Sequence, residues 1–345
     1  MIRCMIKCLK NMKDRINSLD FLKLLAALFI TNSHFIPLYK DISPSLATFG
    51  VHGNALFFFV SGYLLMLGFG KYKKYKVSFV DWYKKKIRRL WPSVLLWVII
   101  SSIIWHKPLT VGKLCLAEDY WFIQSIMIDF ALFYILVNAE ILRSGGGKMY
   151  ILKCMFLVSI IISVIYFFYM PIAEGSPYHT NFHFVCHFSI MVLGGLVYLA
   201  KERIKTCNFR LDLFLCILSF VTYFAILKIG KGQEGVRYYL QILSLLPLHT
   251  FCYYMFKVAN YGWTGKLFNI PYFGRICFII ASLTLEIYIV QFAINTDRFN
   301  SVFPISILLV FCMIVLVAYF LKIVTSIFLQ IMSNDKFSFK KACMI

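Results

Sequence analysis

The stretch PISILLVFCMIVLVAYFLKIVTSIFLQ, residues 304–330, decides the fold class: 27 residues with a single charge, Lys322. A helix needs about 20 apolar residues to cross a hydrocarbon core about 30 Å thick. Inside that core every backbone polar group must be paired, which a helix achieves by itself. The run therefore reads as a transmembrane helix. Nine similar runs precede it, at about 19–39, 51–70, 90–105, 121–142, 149–170, 182–200, 211–229, 238–256 and 273–294. The expected fold is all-α, a polytopic membrane helix bundle of about ten transmembrane helices.

The composition of the whole chain agrees. Of 345 residues, 61% are hydrophobic, 18% aromatic and only 15% charged, with a mean hydropathy of +0.77. Soluble domains run about 45–50% apolar and about 25% charged. Disorder, collagen and small disulfide scaffolds are excluded by the same figures. The 11 cysteines fall partly in basic segments, such as Cys4, Cys8 and Cys207, and partly in apolar runs, such as Cys216 and Cys252. No pair has zinc-site spacing, so they read as reduced, small apolar residues.

Lys and Arg number 36 against 15 Asp and Glu, a formal charge of +21. That excess sits in short loops, which makes it a topology signal and not the footprint of a nucleic-acid partner. The segments 1–18, 71–92, 143–153, 201–210, 257–275 and 331–345 hold 27 cations, whereas the alternate loops hold 7. The bias places both termini in the cytoplasm. The basic start followed by an apolar run looks like a signal peptide, but no small-residue cleavage site follows, so a retained first helix is expected. The implied organisation is a basic cytoplasmic N-terminus (1–18), one transmembrane domain (19–330) and a cytoplasmic tail (331–345). Gly145-Gly146-Gly147 reads as a turn, since the phosphate-cradling GxxxxGK[ST] context is missing.

Ionisable groups inside membrane spans are costly and point to function. Lys23 and His34 are eleven residues apart. At 100° per residue they share a helix face, about 16 Å apart along the axis. A cation at the cytoplasmic entrance and a titratable base deeper in would suit an anionic cosubstrate that reacts at depth. A snorkelling Lys and an interfacial His fit the spacing as well. The loop KYKKYKVSFVDWYKKKIRRLWP, residues 71–92, holds nine cations. Part of it is a topology signal that also attracts anionic lipid. Lys85, Lys86, Arg88 and Arg89, however, run straight into the third span, where they would face phosphates at a helix mouth.

These residues carry a resemblance. The opening Arg15-Ile16-Asn17-Ser18-Leu19-Asp20, then Lys23, ten residues and His34, resembles the start of acyltransferase family 3, integral-membrane O-acyltransferases of bacterial cell-surface glycans. Gly53 through Phe57-Phe58-Phe59-Val60-Ser61-Gly62-Tyr63-Leu64 is similar to its second-helix signature. Lys85-Lys86-Ile87-Arg88-Arg89-Leu90-Trp91-Pro92 resembles its basic motif. Trp121-Phe122, the patch from Phe188 to Gly195, and Ser282-Leu283-Thr284-Leu285-Glu286-Ile287-Tyr288 follow in the family's order. Lys stands in place of Arg at positions 23, 85 and 86, and Gln291 where the late helix often has His.

The resemblance implies acyl-CoA, most simply acetyl-CoA, as a cosubstrate taken from the cytoplasm with no permanently bound cofactor. Its phosphates would rest on Lys85, Lys86, Arg89 and Lys23. His34 would act as general base on an acceptor hydroxyl or form a short-lived acyl-imidazole; both remain open at this point. The acceptor would be a cell-surface polysaccharide or its lipid-linked precursor, and the location the inner membrane of a bacterium. Asp129 or Glu286 would support His34 as a triad carboxylate does, or pair with another helix. His179, His183 and His187 have metal-ligand spacing, but acceptor-facing or interfacial polar roles suit them better, and no metal is expected. A transporter or flippase for a glycolipid or small anion, with His34, Asp129 and Glu286 as a relay, is the competing class. Paired broken helices would favour it. A glycan polymerase would want larger outward loops than these.

Overall fold

The computed structural model describes residues 16–71, 78–138, 147–170, 181–204, 208–231, 235–333 and 337–343. Among them no strand occurs. The long helices are α1 Asn17–Ser33, α2 Gly50–Lys71, α3 Phe79–Trp105, α4 Trp121–Asn138, α5 Gly147–Tyr169, α6 Phe182–Ala200, α7 Phe209–Gly230 and α8 Leu245–Ala259. They are followed by α9 Trp263–Asn269, α10 Phe273–Ser282, α11 Thr284–Ile294 and α12 Ile305–Ile331. Residues 1–15, Lys73, Gly145-Gly146, His179 and Cys207 lie outside the described residues. The eight described cysteines are all free.

Among the described residues seven helices are long and apolar enough to cross a membrane, with α8 counted together with the turns leading into it as Val236–Ala259, and α10 with α11 makes an eighth if the pair is one span. The chain is thus a multi-pass membrane protein. The expected ten includes two runs whose helices are shorter. α1 stops at Ser33 after 17 residues, about 25 Å, because Pro37 closes the way ahead. The apolar part of α4 is Trp121–Val137. The third span begins earlier than expected, since Lys and Arg are good helix formers and Asp81 sits in the favourable first turn. All six residues from Lys84 to Arg89 are therefore helical. The ninth run is not continuous: α10 and α11 meet at an 81° bend at Leu283 (φ −98°, ψ 9°). No Gly or Pro marks that break, so apolar composition hides it.

The described residues group into two compact units. The first comprises Met1–Gly53, Trp82–Gln124 and Thr264–Ile345. Leu19, Leu22, Ala26 and Ile30 form the buried face of α1, which packs on α10 and α11, while α11 packs on α12. Along α12, Ser306, Val310, Ile314, Ala318 and Leu321 are buried while Ile305, Leu308, Leu316 and Phe320 are exposed. An apolar outer face of that length suits lipid and not water.

The second unit comprises Asn54–Asp81 and Ser125–Trp263. Here α5 packs on α6 and α7 on α8. A Cβ at Gly62 would overlap the Met191 carbonyl, and one at Gly194 the Phe59 carbonyl. Two glycines thus let α2 and α6 touch backbone to backbone, the small-residue contact of membrane helices. Asp212 on α7 accepts from Lys257 Nζ (2.6 Å) and from Tyr261 OH (2.8 Å). Ser189 Oγ and His249 Nε2 lie 2.8 Å apart and join α6 to α8.

Candidate active site

His34 caps the C-terminal end of α1, where its N–H bonds to the Thr31 carbonyl (3.1 Å). Its own carbonyl accepts from Asn295 Nδ2, just past the end of α11. Its ring stands edge-on to Phe292, centroids 4.6 Å apart. The chain after His34 folds back over α1. Asn32 Nδ2 donates to the Leu46 and Thr48 carbonyls (2.9 and 3.1 Å) and its Oδ1 accepts from Tyr39 OH (2.7 Å). Asn300 Nδ2 holds the same turn through the Pro37 carbonyl and Asp41 Oδ2. His34 is therefore a half-buried imidazole fixed at a helix end by its backbone, with its ring located by one aromatic contact.

Behind Phe292 lies a cavity of about 260 Å³ lined by Trp97, Ser101, Lys107, Lys113, Asp119, Tyr120, Phe292 and Ala293. Phe292 thus touches both His34 and the cavity. Burial, helped by the neighbouring Asp119 carboxylate, holds the Tyr120 phenol above its ordinary value. Sequence reading missed these lining residues. Lys107 and Lys113 count in the sequence only among the 7 cations of the alternate loops. The density of Lys, Trp and Tyr between 97 and 121 was the available signal.

Lys85, Lys86 and Arg89 lie on α3, where spacings of three and four residues put them on one helix face with Trp82. Lys85 and Arg89 are exposed, and the Lys86 ammonium sits 5.0 Å from the Trp82 ring centroid. Lys23 pairs with Asp20 one turn earlier on α1, at 3.2 Å. His34, Lys23, Lys85, Lys86, Arg89 and Glu286 all belong to the first unit, and Asp129 belongs to the second.

Over almost its full length the chain fits a family pattern described as an acyltransferase domain, which matches residues 16–323. The chain belongs to acyltransferase family 3. No curated protein and no solved structure matches it. The acyltransferase match spans both units and every candidate residue.

The two supporting carboxylates differ in setting. Glu286 opens α11 just after the bend and is fully buried. Its Oε1 accepts from Ser93 Oγ on α3 and Lys322 Nζ on α12, both at 3.0 Å. The single charge of the opening run thus has its partner across two helices. Asp129 is buried on α4, and its Oδ2 has no hydrogen-bond partner among the described residues. On α6, His187 Nδ1 donates to the His183 carbonyl at 2.6 Å. Among the described residues no three His, Cys, Asp or Glu side chains gather as metal ligands.

Proposed function

We propose that this acyltransferase moves an acyl group, most simply acetyl from acetyl-CoA, to a hydroxyl of a cell-surface polysaccharide or its lipid-linked precursor. It works in the inner membrane of a bacterium, with ten spans and both termini in the cytoplasm. The observation that carries the reading is the position of His34, an imidazole at a helix end one ring away from a polar and aromatic cavity. Acyl-CoA enters from the cytoplasm, with its phosphates on Lys85, Lys86 and Arg89 and on Lys23 at the start of α1. The thioester reaches His34, which takes the proton of the acceptor hydroxyl as the oxygen attacks the carbonyl carbon; CoA leaves as the thiolate. In the two-step version the imidazole attacks first and the acyl-imidazole then passes its acyl group to the hydroxyl.

The relay alternative makes different demands. Paired broken helices are the mark of that class, and one broken span occurs among the described residues. The carboxylate at its break, Glu286, is already engaged by Ser93 and Lys322.

Titrating acyl-CoA into purified protein in nanodiscs tests the donor site. Charge-assisted contacts to phosphate contribute about 1.5–3 kcal/mol, so Arg89→Ala weakens binding roughly ten- to a hundred-fold. Arg88→Ala, one residue back and rotated about 100° around the helix, costs little, because an isolated exposed charge contributes about 0–1 kcal/mol. Equal small losses at both positions would leave the basic stretch as a topology signal. Orientation has its own check. Reporter fusions after Lys76, Lys148 and Lys205 read cytoplasm, and fusions at Lys113 and Gly175 read the outer side. One reversed site breaks the ten-span count.

A further inference from the structure

The cavity beside Phe292 has a chemistry of its own. Two ammonium groups, Lys107 and Lys113, face it, against one carboxylate, Asp119. Asp119 reaches Lys113 at 3.7 Å but is itself 53% exposed, a weak and water-screened pairing. Glu118, the next residue back, is turned to Thr110 Oγ1 (2.9 Å) and does not line the space. The remaining wall is Trp97, Tyr120 and Phe292 with the Ser101 hydroxyl. Rings of that kind offer flat amphipathic surface to a sugar.

The loop that brings the lysines is held in place. Leu114 O accepts from Trp91 Nε1 (3.1 Å), and Leu116 O accepts from Gln124 Nε2 (3.0 Å). The Lys113 N–H donates to Thr110 Oγ1 (3.2 Å). Two of its residues without a glycine's freedom, His106 (φ 51°) and Ala117 (φ 49°), adopt left-handed backbone. Such conformations cost about 1–3 kcal/mol each and persist where neighbouring contacts over-determine them. A net-positive wall on a stapled loop is a built surface, and its volume falls just under the range of about 300–1,000 Å³ typical of drug-sized ligand sites. One sugar unit suits that space better than an extended nucleotide.

We infer that this cavity selects an acceptor carrying an anionic group, the carboxylate of an acidic sugar or the phosphate of a glycosyl phosphate, which Lys107 and Lys113 grip while the sugar ring lies on Trp97 and Tyr120. This deepens the acyltransferase reading and rests on it. The grip places a hydroxyl of the same sugar toward Phe292 and His34. Asp119, exposed and loosely paired, yields Lys113 to the incoming anion.

The test uses the full chain in nanodiscs and three probes of similar size: methyl β-D-glucuronide, α-D-glucose 1-phosphate and methyl β-D-glucoside. Calorimetric titration shows at least one anionic probe binding about tenfold or more tighter than the neutral glucoside, the scale of one charge-assisted contact. Lys107→Ala with Lys113→Ala removes that preference, and Lys107→Arg with Lys113→Arg keeps it. Preference for the glucuronide identifies an acidic sugar, and preference for the phosphate identifies a glycosyl phosphate. Equal binding of all three probes, binding of none, or a loss of acetyl-CoA affinity in the double alanine variant overturns the inference. Failure of the transferase reading looks different: anions still bind, but no acyl ester forms from acetyl-CoA on any acceptor.

Discussion

Replacing His34 by alanine abolishes acyl transfer while the protein inserts and accumulates as wild type does. General-base contributions are about 10²–10⁴-fold, and an acyl-imidazole route would lose its nucleophile altogether. The fold should survive, because the bonds that hold this turn do not use the His34 ring: its backbone bonds to the Thr31 carbonyl and the Asn295 side-chain amide, and the Asn32 side chain ties down the chain that follows. Only the edge contact with Phe292 is lost. Mass spectrometry of the surface glycan from cells carrying His34→Ala, beside a deletion strain, measures the effect. Near wild-type ester content would remove His34 from the mechanism.

The second large effect is on stability. Lys322→Ala leaves the Glu286 carboxylate buried with only Ser93 to satisfy it. Removing one partner of a buried ion pair costs about 3–5 kcal/mol. The lower end applies here, since the Lys322 side chain is 34% exposed. Thermal unfolding in detergent should show the loss, and Lys322→Met with Glu286→Gln should recover most of it, because neither residue is then left charged alone. Transfer by that double variant separates two roles. Recovered activity makes Glu286 a clasp between α3, α11 and α12, whereas a stable but inactive protein gives it a direct part in the chemistry. Unchanged stability in Lys322→Ala would contradict the clasp.

What the sequence disclosed follows from what is local. The 304–330 run became α12 almost residue for residue, because hydropathy and helix length are properties of one segment. The basic residues 84–89 were located, but their helix was not, since an apolar run ends where the cations begin. The bend at Leu283 has no Gly or Pro to announce it, and α1 stops short of its run for reasons that lie partly in the turn folded back on it. His34 was marked by its rarity in an apolar run. The cavity was not marked, because Trp97, Lys113, Tyr120 and Phe292 come together only after three chain segments pack. Glu286 was visible as an ionisable group in a span; its partner Lys322, the single charge of the 304–330 run, could be matched to it only in three dimensions.

In the proposed reaction, acyl groups that CoA delivers from the cytoplasmic side become esters on an outer-side glycan. Inside-out membrane vesicles from cells that make the protein and its glycan expose the cytoplasmic face to added acetyl-CoA labelled in the acetyl group. Label is expected in alkali-labile ester on glycan inside the vesicles, absent with His34→Ala and requiring roughly ten- to a hundred-fold more acetyl-CoA with Arg89→Ala. Glycan translocation without label, or ester formed equally well in the His34→Ala vesicles, would contradict the proposed reaction.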